Sequence, residues 1–306
     1  MVARPLAVGA DGRMGSTALR ALAQELRVLE TPGASRLLVA DDSLANPWLC
    51  HPLQMGFDVA VEDLRPWLGV DACALVARGD GALARALALE EAGGMRSGGL
   101  HADGRGGACG GRALLSDETA CALAAERLRT TSLCVQRRCD TAQVVAHFLA
   151  VHPSVAWVSY PGLPDDPAND AARRVLEHGF GAYLTFGLVA SAVDLTASEV
   201  LARATDAGLL AEPPAVPGAH ADGGAPQAAL SPRWGLAAAS GCSPLTTLMA
   251  LPLRGEAGEL GGTAPEAPDD TSGAAPGGRI FLLCAGLETP LDVVAALEAC
   301  LRTPNQ

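Results

Sequence analysis

The amino-acid sequence predicts an α/β fold, in which helices cross over between strands of a mostly parallel sheet. STALRALAQEL (16–26) has apolar residues at helical spacing, with Ser16 in the N-cap position. RLLVA (36–40) and FDVAV (57–61) follow as short apolar runs, which are typical of buried parallel strands. This alternation of helix and strand favours a sheet with crossover connections. The 306 residues, 49% of them hydrophobic, are enough for one large domain or two small ones.

The middle of the chain predicts one more strand, a flexible segment and a long helical region. ACALVAR (72–78) has the pattern of a strand, and residues 90–111 are rich in glycine and should be flexible. From residue 116 to residue 149 the pattern is helical. We interpret its arginine-rich stretch as a solvated helix face rather than an anion site. The stretch consists of Arg127, Arg129, Arg137 and Arg138.

The last part of the sequence predicts a smaller α+β unit. It contains two low-complexity segments, 209–231 and 254–278, whose Ala, Gly and Pro content predicts disordered loops. The predicted strands are SVAWVSYPGL (154–163), AYLTFGLV (182–189), SPLTTLMALP (243–252) and RIFLLCAGL (279–287). The predicted helices are DPANDAARRVLEHG (166–179), which ends in Gly179, and the closing TPLDVVAALEACL (289–301).

The charge balance excludes several classes of partner. The formal net charge is −12, which opposes nucleic-acid binding and anionic-membrane binding, because both need a basic face. No apolar run approaches the roughly 18–20 residues of a membrane span, and no cationic segment followed by an apolar one opens the chain. We therefore expect a cytoplasmic protein that binds neither nucleic acid nor membrane.

The composition also restricts the chemistry. All 22 basic residues are arginine, so the chain has no lysine with which to form a Schiff base. The nine cysteines form no CxxC pair and the six histidines form no HExxH motif, so we predict no metal site. We expect reduced and mostly buried thiols, and one reactive cysteine remains open.

One turn poses a specific question. VEDLRPWLGV (61–70) predicts a strand that enters a tight turn, the place where α/β enzymes put reactive side chains. The turn offers Asp63 and Arg65, but its apex is Pro66. Proline has no reactive group and no backbone donor.

Several blocks of the sequence resemble one family. SVAWVSYPGLPDDPANDAARRVL (154–176) followed by GFGAYLTFGL (179–188) is similar to the start of the C-terminal domain of pyridoxal-phosphate-dependent Cys/Met-metabolism enzymes. The likeness is strongest to O-acetylhomoserine sulfhydrylase, also called homocysteine synthase. VADDSLANPWLCHPLQMGFDVAVEDLRPWLGV (39–70) resembles the family's Val-Asp-Asn-Thr-Phe-Ala-Thr-Pro-Tyr-Leu strand and its lysine strand. LLSDETACALAAERLRTTSLCVQRR (114–138) and CAGLETPLDVVAALEACL (284–301) resemble the helix before the C-terminal domain and the closing segment.

The resemblance implies a domain organisation. Residues 1–140 would be a truncated large domain of the fold-type-I, aspartate-aminotransferase-like transferases. Residues 141–306 would be the smaller α+β C-terminal domain. The family's glycine-rich phosphate loop, its cofactor-stacking aromatic residue and its Tyr-x-Arg arm are not recognisable here. We therefore expect the chain to begin inside the large domain.

The resemblance also implies what has happened to the active site. The family turn Ser-x-Thr-Lys-Trp-Leu-Gly, laid on this chain without a gap, puts the Schiff-base lysine on Pro66. The serine and threonine that donate to the cofactor phosphate fall on Asp63 and Arg65. A carboxylate would repel phosphate, whereas the guanidinium of Arg65 could offset that repulsion. The arginine that binds the substrate carboxylate falls on Leu282.

Two remnant positions keep a suitable residue type. Asp41 matches the aspartate that pairs with the pyridine nitrogen of the cofactor, and an Asx-turn or cap at a strand end is the equally weighted alternative. Thr247 matches a hydroxyl residue near the substrate, although threonine is ordinary in a strand.

Three functions follow as alternatives. The first is a non-catalytic homologue that pairs with itself or with an intact family member, since family enzymes assemble as dimers of dimers. The second is a working pyridoxal-phosphate-dependent sulfhydrylase or lyase, acting with an intact partner subunit. The third is a decayed or split gene product. The missing lysine favours a chain that is inactive alone and binds no pyridoxal phosphate covalently.

Overall fold

The computed structural model describes most of the chain outside the glycine-, alanine- and proline-rich segments. The described residues are 2–9, 11–29, 37–70, 73–79, 81, 118–189, 196–212, 245–251 and 280–302. The predictions for 90–111 and 254–278 lie outside these residues. The prediction for 209–231 is wrong at its start, because residues 210–212 form a strand. No helix in the described part of the chain combines the length and apolarity needed to cross a bilayer.

The described residues form mixed α and β structure. The strands are β1 (Val2–Ala3), β2 (Leu6–Val8), β3 (Met14–Ser16), β4 (Val39–Asp41), β5 (Val59–Asp63), β6 (Cys73–Ala77), β7 (Val155–Ser159), β8 (Tyr183–Leu188), β9 (Leu210–Glu212), β10 (Thr247–Leu251) and β11 (Ile280–Cys284). The α-helices are α1 (Leu19–Val28), α2 (Arg65–Leu68), α3 (Glu118–Leu128), α4 (Thr131–Ala150), α5 (Asn169–Val175), α6 (Ala197–Asp206) and α7 (Pro290–Leu301), and a 3₁₀ turn spans Pro52–Met55.

The first sheet has the strand order β1-β4-β5-β6. Strands β1, β4 and β5 are parallel, as the apolar runs predict, whereas β6 is antiparallel to β5. The connection between β5 and β6 is therefore not a crossover. Only residues 64–72 separate the two strands, and a parallel crossover needs a dozen or more residues.

The second sheet has the order β7-β8-β11-β10-β9 and is mostly antiparallel. Helices α4, α6 and α7 pack on one face, where side chains such as Phe186, Phe281 and Leu283 are fully buried. The opposite face holds Leu282 and its neighbours, because successive strand residues alternate between faces. Helices on one face of an antiparallel sheet make this half the predicted α+β unit.

Helix α4 connects the two halves of the molecule. Its first turns pack with the core beneath α1 and α5, through Val135 and Cys139. Its later turns pack on the second sheet, through Val145 and Leu149. The predicted boundary between residues 140 and 141 falls in the middle of this helix.

A hairpin of β2 and β3 attaches the start of the chain to the second sheet. Val8 and Met14 pack on the face that carries Leu282. The backbone amide of Met14 also donates to Ser159 Oγ at 3.0 Å. Ser16 lies in β3 and its hydroxyl donates to the Pro5 carbonyl, so the prediction that Ser16 caps the first helix is wrong.

The arginine-rich stretch is not a simple solvated face. Arg138 is only 5% exposed, and Arg137 donates to the carbonyl oxygens of Leu287 and Glu288. Arg127 donates to the Leu68 carbonyl. Helical periodicity alone could not reveal this, because the acceptors come from elements distant in sequence.

Candidate functional site

The remnant cofactor positions meet at one edge of the first sheet. Asp41 ends β4 and Asp63 ends β5, and the two strands are parallel neighbours. The carboxyl ends of parallel strands are where α/β proteins place their ligands. The backbone therefore brings Asp41 and Asp63 to the same edge of the sheet.

The carboxylate of Asp41 is already bonded by the chain itself. Arg4, which follows β1, donates Nε to Asp41 Oδ2 at 2.8 Å. Ser43 donates its hydroxyl to Asp41 Oδ1 at 2.7 Å and its backbone amide to the same atom at 3.4 Å. The second Ser43 contact is the Asx-type contact of the alternative interpretation. Both oxygens of Asp41 thus have protein donors.

Ser43 links the two remnant acids. Besides donating to Asp41, its hydroxyl oxygen accepts the backbone amide of Asp63 at 3.0 Å. Asp63 is 7% exposed, so its carboxyl group is buried at this edge of the sheet. This hydrogen-bonded link fixes the strand ends relative to each other.

A second pair of acids, Asp42 and Glu62, lies beneath the first. Asp42 is fully buried and Glu62 is 3% exposed, and the Asp42 amide donates to the Val61 carbonyl next to Glu62. Burial raises the pKa of Glu62 to about 8, and the nearby charge of Asp41 adds to the rise. Burial and the neighbouring Glu62 hold the pKa of Asp42 well above its usual range. Burial therefore favours the protonated form of both carboxyls, and three of their oxygens, Asp42 Oδ1, Asp42 Oδ2 and Glu62 Oε2, are buried without a hydrogen-bond partner among the described residues.

Sequence reasoning did not single out this pair. The available signal was two acids, Asp42 and Glu62, beside or inside otherwise apolar strand runs. An acid at a strand end is usually solvated, and only the pairing of β4 with β5 shows that these two are enclosed. The Cys50 thiol lies close by, and burial raises its pKa, so it stays protonated and unreactive.

The turn that holds Pro66 is a short helix. Residues 65–68 form α2, in which the Leu68 amide donates to the Leu64 carbonyl at 2.7 Å. Pro66 is the second residue of this helix, where no backbone donor is needed. Gly69 follows with φ 62°, a left-handed conformation that suits glycine. The turn is therefore well formed with proline in it.

The predicted substrate positions lie on the second sheet. Leu282 is 2% exposed and packs in an apolar cluster with Met14 and Met249. Thr247 is 3% exposed and pairs with Cys284 across the strands. Leu282 thus fills its surroundings with apolar contact, and no guanidinium comes from this position.

A small cavity lies near this edge, and residues from both halves of the molecule line it. Its volume is about 20 Å³, which is room for about one water molecule. Its lining residues are Ser43, Leu44, Asn46, Leu49, Trp67, Val135, Arg138, Ala182 and Tyr183. Within the described ranges, no group of three histidine, cysteine or acidic residues could hold a metal ion.

Comparison with known proteins places these features in a family. The model of the family described as Cys/Met metabolism PLP-dependent enzyme matches residues 28–205. The chain is 32% identical over 179 residues to L-methionine gamma-lyase of Pseudomonas deceptionensis, covering 56% of this chain and 40% of that protein. It is 44% identical over 61 residues to O-acetyl-L-homoserine sulfhydrylase 1 of Thermus thermophilus, covering 20% of this chain and 14% of that protein.

Solved structures agree on the fold. The cystathionine gamma-lyase from yeast superposes with a TM-score of 0.64 at 17% identity, covering all of this chain and 64% of that one. Cystathionine gamma synthase from Xanthomonas oryzae pv. oryzae gives a TM-score of 0.59 at 19% identity, covering 98% of this chain and 62% of that one. The chain thus spans less than two thirds of the length of each relative. It has the fold-type-I architecture and belongs to the Cys/Met-metabolism family of pyridoxal-phosphate-dependent enzymes.

Proposed function

We propose that this chain is a non-catalytic member of its family, which keeps the fold without the groups that hold and activate the cofactor. The observation that carries the proposal is the absence of lysine from all 306 residues. The resemblance puts the position of the family's Schiff-base lysine on Pro66. Proline cannot form an imine with an aldehyde, since its nitrogen is part of the backbone.

The residues at the sheet edge do not fit pyridoxal phosphate. Both oxygens of Asp41 already accept from Arg4 and Ser43, so a pyridine nitrogen would have to share this carboxylate with them. Asp63 puts a buried carboxyl where a phosphate donor is expected, and this carboxyl repels a phosphate whenever it is ionised. The cavity beside Ser43 holds about one water, which is far smaller than a substituted pyridine ring.

The substrate end of the site supports the same proposal. The family's carboxylate-binding arginine corresponds to Leu282, which is 2% exposed among apolar neighbours. A bare carboxylate brought to this place would meet an apolar wall and lose its hydration. Cofactor and substrate positions have therefore changed together.

A non-catalytic chain of this fold is suited to association. We propose that it pairs with a second copy of itself or with an intact family member. Co-expression with a tagged, full-length family member tests the pairing. Co-purification in fixed ratio is expected, and two separately eluting proteins would contradict it.

An activity assay tests the loss of catalysis. The purified chain, with and without added pyridoxal phosphate, is given methionine, or O-acetylhomoserine with sulfide. The O-acetyl-L-homoserine sulfhydrylase 1 of Thermus thermophilus serves as the positive control. We expect no product above the protein-free background. Turnover that depends on added pyridoxal phosphate would refute the proposal and favour a working sulfhydrylase or lyase.

A further inference from the structure

An open groove lies on the outer side of the first sheet, away from the remnant site. It has a volume of about 640 Å³, within the range of small-molecule sites. Helix α1, the 3₁₀ turn and the adjoining ends of β5 and β6 form its walls. The lining residues are Arg20, Ala23, Gln24, Arg27, Val28, Gln54, Met55, Gly56, Asp58 and Arg78.

Three arginines converge on this groove. Arg20, Gln24 and Arg27 lie on one face of α1, since positions four and seven residues apart in a helix are neighbours. Arg78 follows β6, and its backbone amide donates to the Asp58 carbonyl at 2.8 Å. Antiparallel pairing of β5 with β6 is what brings Arg78 to the start of β5.

Among the described residues that line the groove, Asp58 is the one carboxylate that opposes these arginines. Asp58 Oδ1 accepts from Arg27 Nη2 at 2.6 Å, and Asp58 Oδ2 accepts from the Leu38 amide at 2.8 Å. Both carboxylate oxygens of Asp58 therefore already accept hydrogen bonds, one from Arg27 and one from the backbone. Arg78 is held by the Leu53 carbonyl, which is uncharged. Arg20 is exposed, and no described carboxylate pairs with it.

The floor of the groove is apolar and close-packed. Gly56 has φ 104°, a left-handed conformation, and a Cβ added there would lie 3.2 Å from the Ala23 side chain. Glycine thus lets α1 approach the 3₁₀ turn. Met55 and Ala23 are buried at the base, while Gln24 and Gln54 supply amides at the rim. The groove offers two net positive charges, two amides and an apolar base.

We propose that this groove binds a small organic phosphate. Guanidinium groups match phosphate oxygens with paired donors, and the amides and apolar base suit a compact organic body. The whole chain has a net charge of −12, so its overall field repels anions. The described lining of the groove has two more arginines than carboxylates, so the groove is a locally positive region on a negatively charged protein.

The groove is separate from the remnant cofactor site. Asp58 precedes β5 and Asp63 ends it, so five residues separate the two places, or about 16 Å at the rise of an extended strand. Arg20 and Arg78 make none of the contacts of Asp41. The groove can bind its ligand whether or not the chain retains catalysis. A negative result for the groove therefore leaves the proposed function standing, and the reverse also holds.

Titration calorimetry at constant ionic strength tests the site on the full chain. The probes are inorganic pyrophosphate for phosphoryl groups and citrate for a carboxylate anion of comparable charge. Arg20→Ala removes one surplus guanidinium, and Gln24→Glu puts a carboxylate of nearly equal shape into the lining. Two control variants match these changes outside the groove. Ala125→Glu adds the same charge to an exposed position of α3, and Arg129→Ala removes an arginine whose side chain is 78% exposed.

We expect saturable pyrophosphate binding that is tighter than citrate binding. Arg20→Ala and Gln24→Glu should each weaken it by about tenfold, as for loss of a charge-assisted contact. Ala125→Glu and Arg129→Ala should leave it within about twofold, as expected for screened distant charges. Circular dichroism confirms that each variant is folded. The proposal is overturned if pyrophosphate gives no saturable heat, if citrate binds equally well, or if the controls weaken binding as much as the groove variants.

Discussion

Arg4 and Asp41 form an ion pair across neighbouring parallel strands, with 2.8 Å between Nε and Oδ2. The pair joins residues 37 positions apart, so β1 and β4 are connected by side chains as well as by backbone. Under the proposed correspondence with the family's aspartate, the pair also engages the carboxylate that would face a pyridine nitrogen. The same contact joins the two strands through their side chains.

Pyridoxal phosphate should form no stable side-chain adduct with this chain. Mixing the two should give no internal-aldimine absorbance, because there is no lysine amine to form it. Borohydride reduction followed by peptide mass mapping makes the measurement. A reduced adduct on any residue other than the amino group of Met1 would contradict the expectation. A full-length relative treated alongside shows that the reduction works.

Restoring the lysine alone should not restore turnover. Pro66→Lys supplies an amine, but Asp63, Leu282 and the Arg4–Asp41 pair still oppose the phosphate, the substrate carboxylate and the pyridine nitrogen. Catalysis needs these groups in place together, so a single repair gives almost nothing. The measurement is sulfide incorporation into O-acetylhomoserine. Pro66→Arg is the matched control, with the same charge and no amine. Turnover by Pro66→Lys alone would mean that the rest of the site is intact.

The Asp42–Glu62 pair should make the folded state less stable as pH rises. Glu62 has a folded pKa raised to about 8 from the ordinary 4.5, so the folded chain keeps a proton that the unfolded chain releases. The stabilisation that comes from this carboxyl is complete below the pKa of glutamate in the unfolded chain, 4.5. It is lost as the pH rises through the folded pKa of about 8. The free energy of unfolding should fall by about 1.4 kcal/mol per pH unit from this group across that window.

Glu62→Gln separates this contribution from the other titrating groups. The amide keeps the shape of the protonated acid and does not ionise, so the slope of unfolding free energy against pH should flatten. Urea denaturation at a series of pH values measures it. Glu126→Gln, whose parent side chain is 74% exposed, is the control and should keep the parent slope. Equal slopes for Glu62→Gln and the parent chain would show that Glu62 is ionised in the fold.

Asp166 should be one of the most sensitive positions for stability. Its carboxylate accepts from Ser159 Oγ at 2.9 Å and from the amides of Tyr160 and Ala168, each at 2.8 Å. Asp166→Ala leaves three buried donors unsatisfied and should cost about 3 kcal/mol or more. Asp165→Ala, at the exposed neighbour, should change stability by less than about 0.5 kcal/mol. If the two variants lost similar free energies of unfolding, the hydrogen bonds of Asp166 would not stabilise the fold as expected here.

The sequence predicted the strongly patterned elements and missed those that depend on distant partners. Residues 280–284 and 290–301 were predictable, because the first run is wholly apolar and Thr289 accepts from Asp292 as a helix cap. The strands within residues 2–16 were missed, since two or three residues carry too little periodicity to detect.

The same limit applies at the candidate site. Asp41 and Asp63 were predictable as members of one edge, because each ends an apolar run before a turn. The engagement of Asp41 by Arg4 was not predictable, because it depends on the pairing of β1 with β4. The burial of Arg138 was missed for a similar reason, since a helical pattern does not reveal what covers each face.

The hydrogen bond from Met14 to Ser159 has a consequence for biosynthesis. The two residues are 145 positions apart, so the hairpin of β2 and β3 can pack only after the second sheet has been synthesised. At the usual pace of translation that wait lasts roughly 10 to 30 seconds. During this time the apolar side chains of Val8 and Met14 are open to other proteins in the cell. Nascent chains are therefore expected to need chaperone protection around residues 8–14 until the second sheet has been synthesised.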